Sequence, residues 1–143
     1  MPPQTVTSMA LIPLFLEVLI ADGCLGVSSF LEVGMRTFSS GKRSIVCSTA
    51  STFSSACRFL HQRSFDIFFV DIDLPDGGIE LIRRIKWLEE VTGKKAALIV
   101  CSTDAPLVEI QEAQEAGADM FFSRPDNIAG VIQALQALPL FER

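Results

Sequence analysis

The stretch "FFVDIDLPDGG", Phe68–Gly78, runs three large apolar residues into Asp71, places a second carboxylate at Asp73, and then breaks into proline, Asp76 and two glycines. A short, all-apolar run bounded by turn formers reads as a strand covered on both faces. "LPDGG" reads as the turn that follows it. Asp71 then stands where a buried strand emerges, which is where an open α/β sheet exposes functional groups.

Working outward, four further runs share this character. They are "LFLEVLIA" (14–21), "RSIVCST" (43–49), "AALIVCS" (96–102) and "ADMFFS" (118–123), and the central strand itself extends over "FDIFFVD" (65–71). Between them, "LGVSSFLEVGMRTF" (25–38), "STFSSACRFLHQ" (51–62), "IELIRRIKWLEE" (79–90) and "PLVEIQEAQEAG" (106–117) carry apolar residues at three- and four-residue spacing. A fifth helical stretch, "DNIAGVIQALQAL" (126–138), follows the last strand. In the third stretch, Leu81, Ile82, Ile85 and Leu88 form one stripe, while Arg83, Arg84, Lys86, Glu89 and Glu90 are expected in solvent. Pro106 suits a first helical turn and Gly117 a helix C-terminal cap.

Strict alternation of strand and helix predicts a single doubly wound five-stranded parallel sheet with helices on both faces. The 143 residues suffice for one domain, divided here into an N-terminal extension, residues 1–13, and an α/β domain, residues 14–143. Hydrophobic residues make up 49% and the mean hydropathy is +0.38, yet no run approaches the roughly 18 apolar residues of a membrane span. Seventeen acidic against twelve basic residues give a formal charge of −5, which opposes nucleic-acid binding by this chain. Cys24, Cys47, Cys57 and Cys101 lack metal-ligand spacing and read as free thiols of a reducing cytoplasm. His61 is the only histidine, so no His-based metal site or Ser-His-Asp triad is expected.

The strand ends bring together Asp22 and Gly23, then Asp71, then Ser102 and Thr103, then Ser123 and Arg124 before Pro125. Carboxylates suit a hard metal ion, and hydroxyls and a cation suit phosphoryl oxygens.

With "VLIADG", "FFVDIDLPDGG", "LIVCST" and "GADMFFSRP" in this order, the sequence resembles the response-regulator receiver domain of two-component signalling over roughly residues 15–139. The resemblance implies the flavodoxin-like strand order 2-1-3-4-5, and it implies that Asp71 accepts a phosphoryl group from a phosphohistidine on a histidine kinase or histidine phosphotransfer protein. It implies a Mg²⁺ ion on Asp22, Asp71 and the backbone carbonyl of Asp73. It further implies a switch pair, Ser102 and Phe121, and phosphate contacts from Arg124, Ser102 and Thr103. A homodimer or partner face would be built from the fourth helical stretch, the fifth strand and the fifth helical stretch. The protein would be a cytoplasmic signalling domain, catalysing at most its own phosphorylation and dephosphorylation.

The pattern departs from the family at the acidic pair, where Gly23 replaces the second acid, and at the lysine position, where Arg124 stands. The turn after Asp71 also reads as one residue short. These departures support a second reading, a pseudo-receiver that acts by protein contact or dimerisation without phosphoryl transfer. "VDID" with the later "VCST" is also similar to the first two motifs of haloacid-dehalogenase-type phosphohydrolases, but Leu74 stands where Thr or Val is usual and the later lysine is missing. The chain ends at Arg143, soon after the fifth helical stretch, which implies action in trans or a receiver cut from a longer protein.

Overall fold

The computed structural model describes residues 15–23, 32, 44–102, 106–122, 130 and 133. Five strands, β1 (Phe15–Ala21), β2 (Ser44–Ala50), β3 (Ile67–Asp71), β4 (Ala97–Cys101) and β5 (Met120–Phe122), form one sheet in the order β2-β1-β3-β4-β5. Every pairing is parallel. Three helices lie among the described residues: α1 (Phe53–Gln62), α2 (Gly78–Thr92) and α3 (Leu107–Ala116). The order and the strand bounds match the sequence expectation to within two residues. The expected helical stretches 25–38 and 126–138 lie almost wholly outside the described residues.

The strands alternate their side chains between two cores. Leu19, Ala21, Phe68, Val70, Leu98 and Val100 face the layer that holds Ala56, Leu81, Ile82, Ile85 and Ala113 of the three helices. Leu16, Val18, Ile20, Ile67, Phe69, Ile99 and Cys101 form the second core on the opposite face. Burial of each large aliphatic or aromatic chain contributes about 1.5–3 kcal/mol relative to exposure. The three inner strands, apolar on both sides, are therefore what fixes the sheet.

Local chemistry sets the helix ends. Thr52 caps α1: its hydroxyl accepts from the Ser55 amide, and the Ser55 hydroxyl receives the Thr52 amide. Gly93 and Gly117 end α2 and α3 in the left-handed conformation. Pro106 stands one position earlier than a first-turn proline, at the N-cap of α3.

Two residues expected in solvent are half-buried instead. Lys86 lays its aliphatic chain along Gly117, where an added Cβ would fall 2.6 Å from Lys86 Cε. Its ammonium reaches Glu89 at 3.1 Å, and Glu89 also accepts the Ala96 amide at 3.0 Å. Helical spacing places a residue on a face, but long side chains reach past that face to bury their stems.

The amino ends of the strands carry a separate polar band. The Glu17 amide donates to Asp66, Lys94 pairs with Asp66 at 3.4 Å, and Arg63 lies 3.6 Å from Glu17. A cleft of about 80 Å³ opens there between α1 and α2, over Leu60, Phe65, Phe68 and Leu88. It lies at the pole opposite the carboxyl ends of the strands.

Candidate functional site at the carboxyl ends of β1, β3 and β4

In the order β2-β1-β3-β4-β5, the chain changes winding direction between β1 and β3, and a crevice opens at the carboxyl ends of those two strands. Ala21 of β1 pairs with Val70 of β3. Asp22 and Asp71 therefore follow one another across the crevice, one position further along. Asp71 in turn pairs with Cys101 of β4, and Ser102 comes next. The sheet register alone brings Asp22, Asp71 and Ser102 together.

The turn after β3 is tied at several points. Asp71 accepts the Asp73 amide on its Oδ1 at 2.9 Å, and the Leu74 amide donates to the Asp71 carbonyl at 3.0 Å. A second turn closes from the Gly77 amide to the Leu74 carbonyl at 2.9 Å. Asp76 takes a positive φ of 72°, which aspartate tolerates better than most side chains, and Gly77 follows at 123°. Leu74 and Ile72 are buried beneath the turn, and the Pro75 carbonyl accepts the Phe53 amide at the start of α1. The segment that reads as short in the sequence is thus closed and anchored on the first turn of α1.

Two glycines make this packing possible. A Cβ on Gly78, the first residue of α2, would lie 2.4 Å from the Asp71 carbonyl oxygen and 2.5 Å from that of Ile72. A Cβ on Gly23 would lie 2.9 Å from Cδ of Pro75. Gly23, the position where a second acid was expected from the resemblance, therefore lies directly under the proline ring.

Ser102 is 3% exposed, and its amide donates to the Phe122 carbonyl at 3.0 Å. Its hydroxyl lies 3.3 Å from Oδ2 of Asp73. The Asp73 side chain therefore points into the crevice, whereas the resemblance implies a role only for its backbone carbonyl. The only available signal was the alternation of Asp71 and Asp73 around one intervening residue, which a turn can bring to the same side.

Phe121 pairs with Val100 and packs against the helix-side core, whereas Phe122 packs against the other core. Phe121 is thus the ring on the α3 side of the sheet. Thr103 and Arg124, expected to contact phosphate, and Ser123 lie outside the described residues.

Asp22 is 8% exposed, and Asp71 is half-buried. Burial raises the Asp71 pKa above the ordinary carboxylate range; the Asp73 amide opposes this, and the Asp73 charge adds to it. The neighbouring Cys101 thiol is pushed up to about 12 by burial and by the charges of Asp22 and Asp71, so it stays protonated and unreactive. Among the described residues, no three His, Cys, Asp or Glu side chains are grouped to hold a metal. A hard cation here would rest on one or two carboxylates, a backbone carbonyl and water, a donor set that suits Mg²⁺.

The raised Asp71 pKa has a measurable consequence. A carboxyl whose folded pKa exceeds its unfolded value adds stability below the ordinary carboxylate range and loses it as pH rises through the folded pKa. Asp71→Asn, a neutral isostere, should therefore melt above the wild type at pH 7. The difference should vanish under acid conditions, as followed by thermal unfolding across pH.

Comparison with known proteins places these observations. A response regulator from Burkholderia pseudomallei, solved with a phosphorylated aspartic acid, a calcium ion and citrate, superposes with a TM-score of 0.71 at 22% identity, covering 85% of this chain and 67% of that one. A CheY-like receiver domain from Methanospirillum hungatei JF-1 gives 0.68 at 21% identity, over 85% and 91% of the two chains. The beryllofluoride-activated NtrC4 receiver domain dimer gives 0.72 at 21% identity, over 88% and 96%. No curated protein sequence matches the chain. The sequence model of the response regulator receiver domain matches residues 28–136, and the chain belongs to the response regulator receiver domain family.

Proposed function

We propose that this receiver domain takes a phosphoryl group at Asp71 from a phosphohistidine on a histidine kinase or histidine phosphotransfer protein. The observation that carries the reading is the meeting of Asp22, Asp71 and Ser102 at one crevice through sheet register. An Asp71 carboxylate oxygen attacks phosphorus; the P–N bond breaks as the P–O bond forms, and the imidazole leaves with the bonding pair and is reprotonated by solvent. Mg²⁺, held by Asp22, Asp71 and the Asp73 carbonyl, would neutralise the charge that otherwise keeps a carboxylate from a phosphoryl group. Arg124, Ser102 and Thr103 would contact the phosphoryl oxygens. The half-burial of Asp71 makes its charged form more costly, so a cation and a basic side chain beside it would favour the reactive carboxylate.

The new phosphoryl group would draw the Ser102 hydroxyl and repack Phe121 against the helix-side core. That change would alter the face made by α3, β5 and the stretch 126–138, the surface offered to a partner or a second copy. The receiver unit is assigned to residues 14–143, with residues 1–13 as an extension. A reducing, cytoplasmic setting accords with the free Cys57 and Cys101. Among the described residues no helix is long and apolar enough to cross a membrane.

One observation favours a second reading, the pseudo-receiver that signals by contact alone: Gly23 lies under Pro75, and the acid that a metal would need there is missing. Intact mass measured after incubation with Mg²⁺ and acetyl phosphate separates the two. A gain of one phosphoryl group on the wild type, absent on Asp71→Asn, is the expected result. An unchanged wild-type mass, or an equal gain on the variant, would overturn the phosphoacceptor reading.

A further inference from the structure

The Asp73 side chain bridges two segments that are 29 residues apart in sequence, the turn after β3 and the end of β4. Its position is fixed from below: the Asp73 amide is bound by Asp71 Oδ1, and the next residue, Leu74, is buried. Ser102 is fixed as firmly on its own side, because its backbone is tied to β5 through the Phe122 carbonyl. The 3.3 Å approach of Ser102 Oγ to Asp73 Oδ2 is therefore set by two anchored backbones rather than by a loose surface chain.

We propose that Asp73 is a positioning residue that holds the Ser102 hydroxyl while Asp71 is unmodified and must release it before the phosphorylated state can form. The inference rests on the reading of Asp71 as phosphoacceptor. A serine hydroxyl carries one proton, so a proton given to the Asp73 carboxylate is not available to a phosphoryl oxygen. A carboxylate is a strong acceptor, so this competition weighs against the switched state. A phosphoryl group on Asp71, carrying about −1.5 to −2 charges, would replace the carboxylate's single charge, and the net gain of about −0.5 to −1 beside Asp73 acts in the same direction. The influence of the Asp73 charge on Asp71 accords with that proximity. Asp73 thus raises the threshold for switching, while its backbone carbonyl, a main-chain atom, is available to a cation whatever the side chain.

Beryllofluoride with Mg²⁺, a mimic of the phosphoryl group, tests this by calorimetric titration of the full chain. Asp73→Ala removes the acceptor and the charge and keeps the carbonyl; Asp73→Asn removes the charge and keeps an acceptor. Asp73→Ala is expected to bind beryllofluoride about tenfold more tightly than the wild type, with Asp73→Asn between them. In a Ser102→Ala background the gain from Asp73→Ala should fall to about threefold or less, because the hydroxyl that was released is gone. Equal gains with and without Ser102, or no gain in Asp73→Ala, would overturn the inference and leave the phosphoacceptor reading standing. Failure of the wild type and every variant to bind would overturn both.

Discussion

Gly78→Ala should lower the stability of the domain by about 3 kcal/mol, at the upper end of the usual cost of overpacking, and its melting temperature by ~10 °C. The obstacle is backbone. The added methyl would lie 2.4 and 2.5 Å from the carbonyl oxygens of Asp71 and Ile72, and carbonyls held in a sheet and a turn cannot rotate away as a side chain would. Those oxygens belong to the segment that aims Asp71, since the Asp71 carbonyl accepts the Leu74 amide and the Ile72 amide donates to Cys101. Relief of the clash must therefore lift the amino end of α2 or displace the turn that follows Asp71. Gly93→Ala is the control, because Gly93 has a φ of 76° with open space around it and should cost only ~1–2 kcal/mol of backbone strain. Calorimetric unfolding of the two variants separates crowding from strain; equal losses would sink the steric account. The same Gly78→Ala sample should show weaker phosphorylation by intact mass than Gly93→Ala, which is remote from the crevice.

The contrast between the two glycines shows what could be read from the sequence. The strands were legible because β1, β3 and β4 are buried on both faces and appear as unbroken apolar runs, and their parallel order follows from the helical spacing between them. Asp22, Asp71 and Ser102 were legible for the same reason: each is the residue at which such a run stops. What did not show was anything decided by contact across the fold. "DGG" announces a turn, but not that Gly78 is needed because two carbonyls crowd it, nor that Asp76 would take the left-handed conformation with the first of the two glycines beside it. Lys86 and Glu89 looked like a wet helix face until Gly117 offered one a groove and the Ala96 amide offered the other a donor. The Asp73 side chain was invisible as a partner of Ser102, since its direction depends on the amide bond to Asp71 and on the buried Leu74 that follows.

Gly23 carries the sharpest expectation of this kind. Read as sequence, it is a missing acid, and restoring it by Gly23→Asp would be expected to strengthen metal binding directly. The structure reverses the order of events, because the Cβ of any residue at 23 would lie 2.9 Å from Cδ and 3.3 Å from Cγ of Pro75. The Gly23 backbone is outside the positive-φ conformations of the described residues, so the barrier is steric. Gly23→Asp alone should therefore cost about 2 kcal/mol of stability, in the range of overpacking, with little gain in Mg²⁺ affinity. Pro75→Ala removes the ring but keeps the carbonyl that accepts the Phe53 amide, so the turn stays anchored and the loss should be only about 0.5–1 kcal/mol. Combining the two should recover most of the stability lost by Gly23→Asp, a departure from additivity of about 1–2 kcal/mol in a thermal-unfolding cycle. The added carboxylate, now free to approach a cation, should raise Mg²⁺ affinity on the order of tenfold over the wild type by calorimetric titration. Additive stabilities would show that Pro75 does not hold position 23 closed. Recovery of stability without a gain in Mg²⁺ affinity would show instead that a carboxylate there does not face the crevice between Asp22 and Asp71. With the expected non-additive result, the acid and the proline are alternatives at one place in the fold, and the chain keeps the proline.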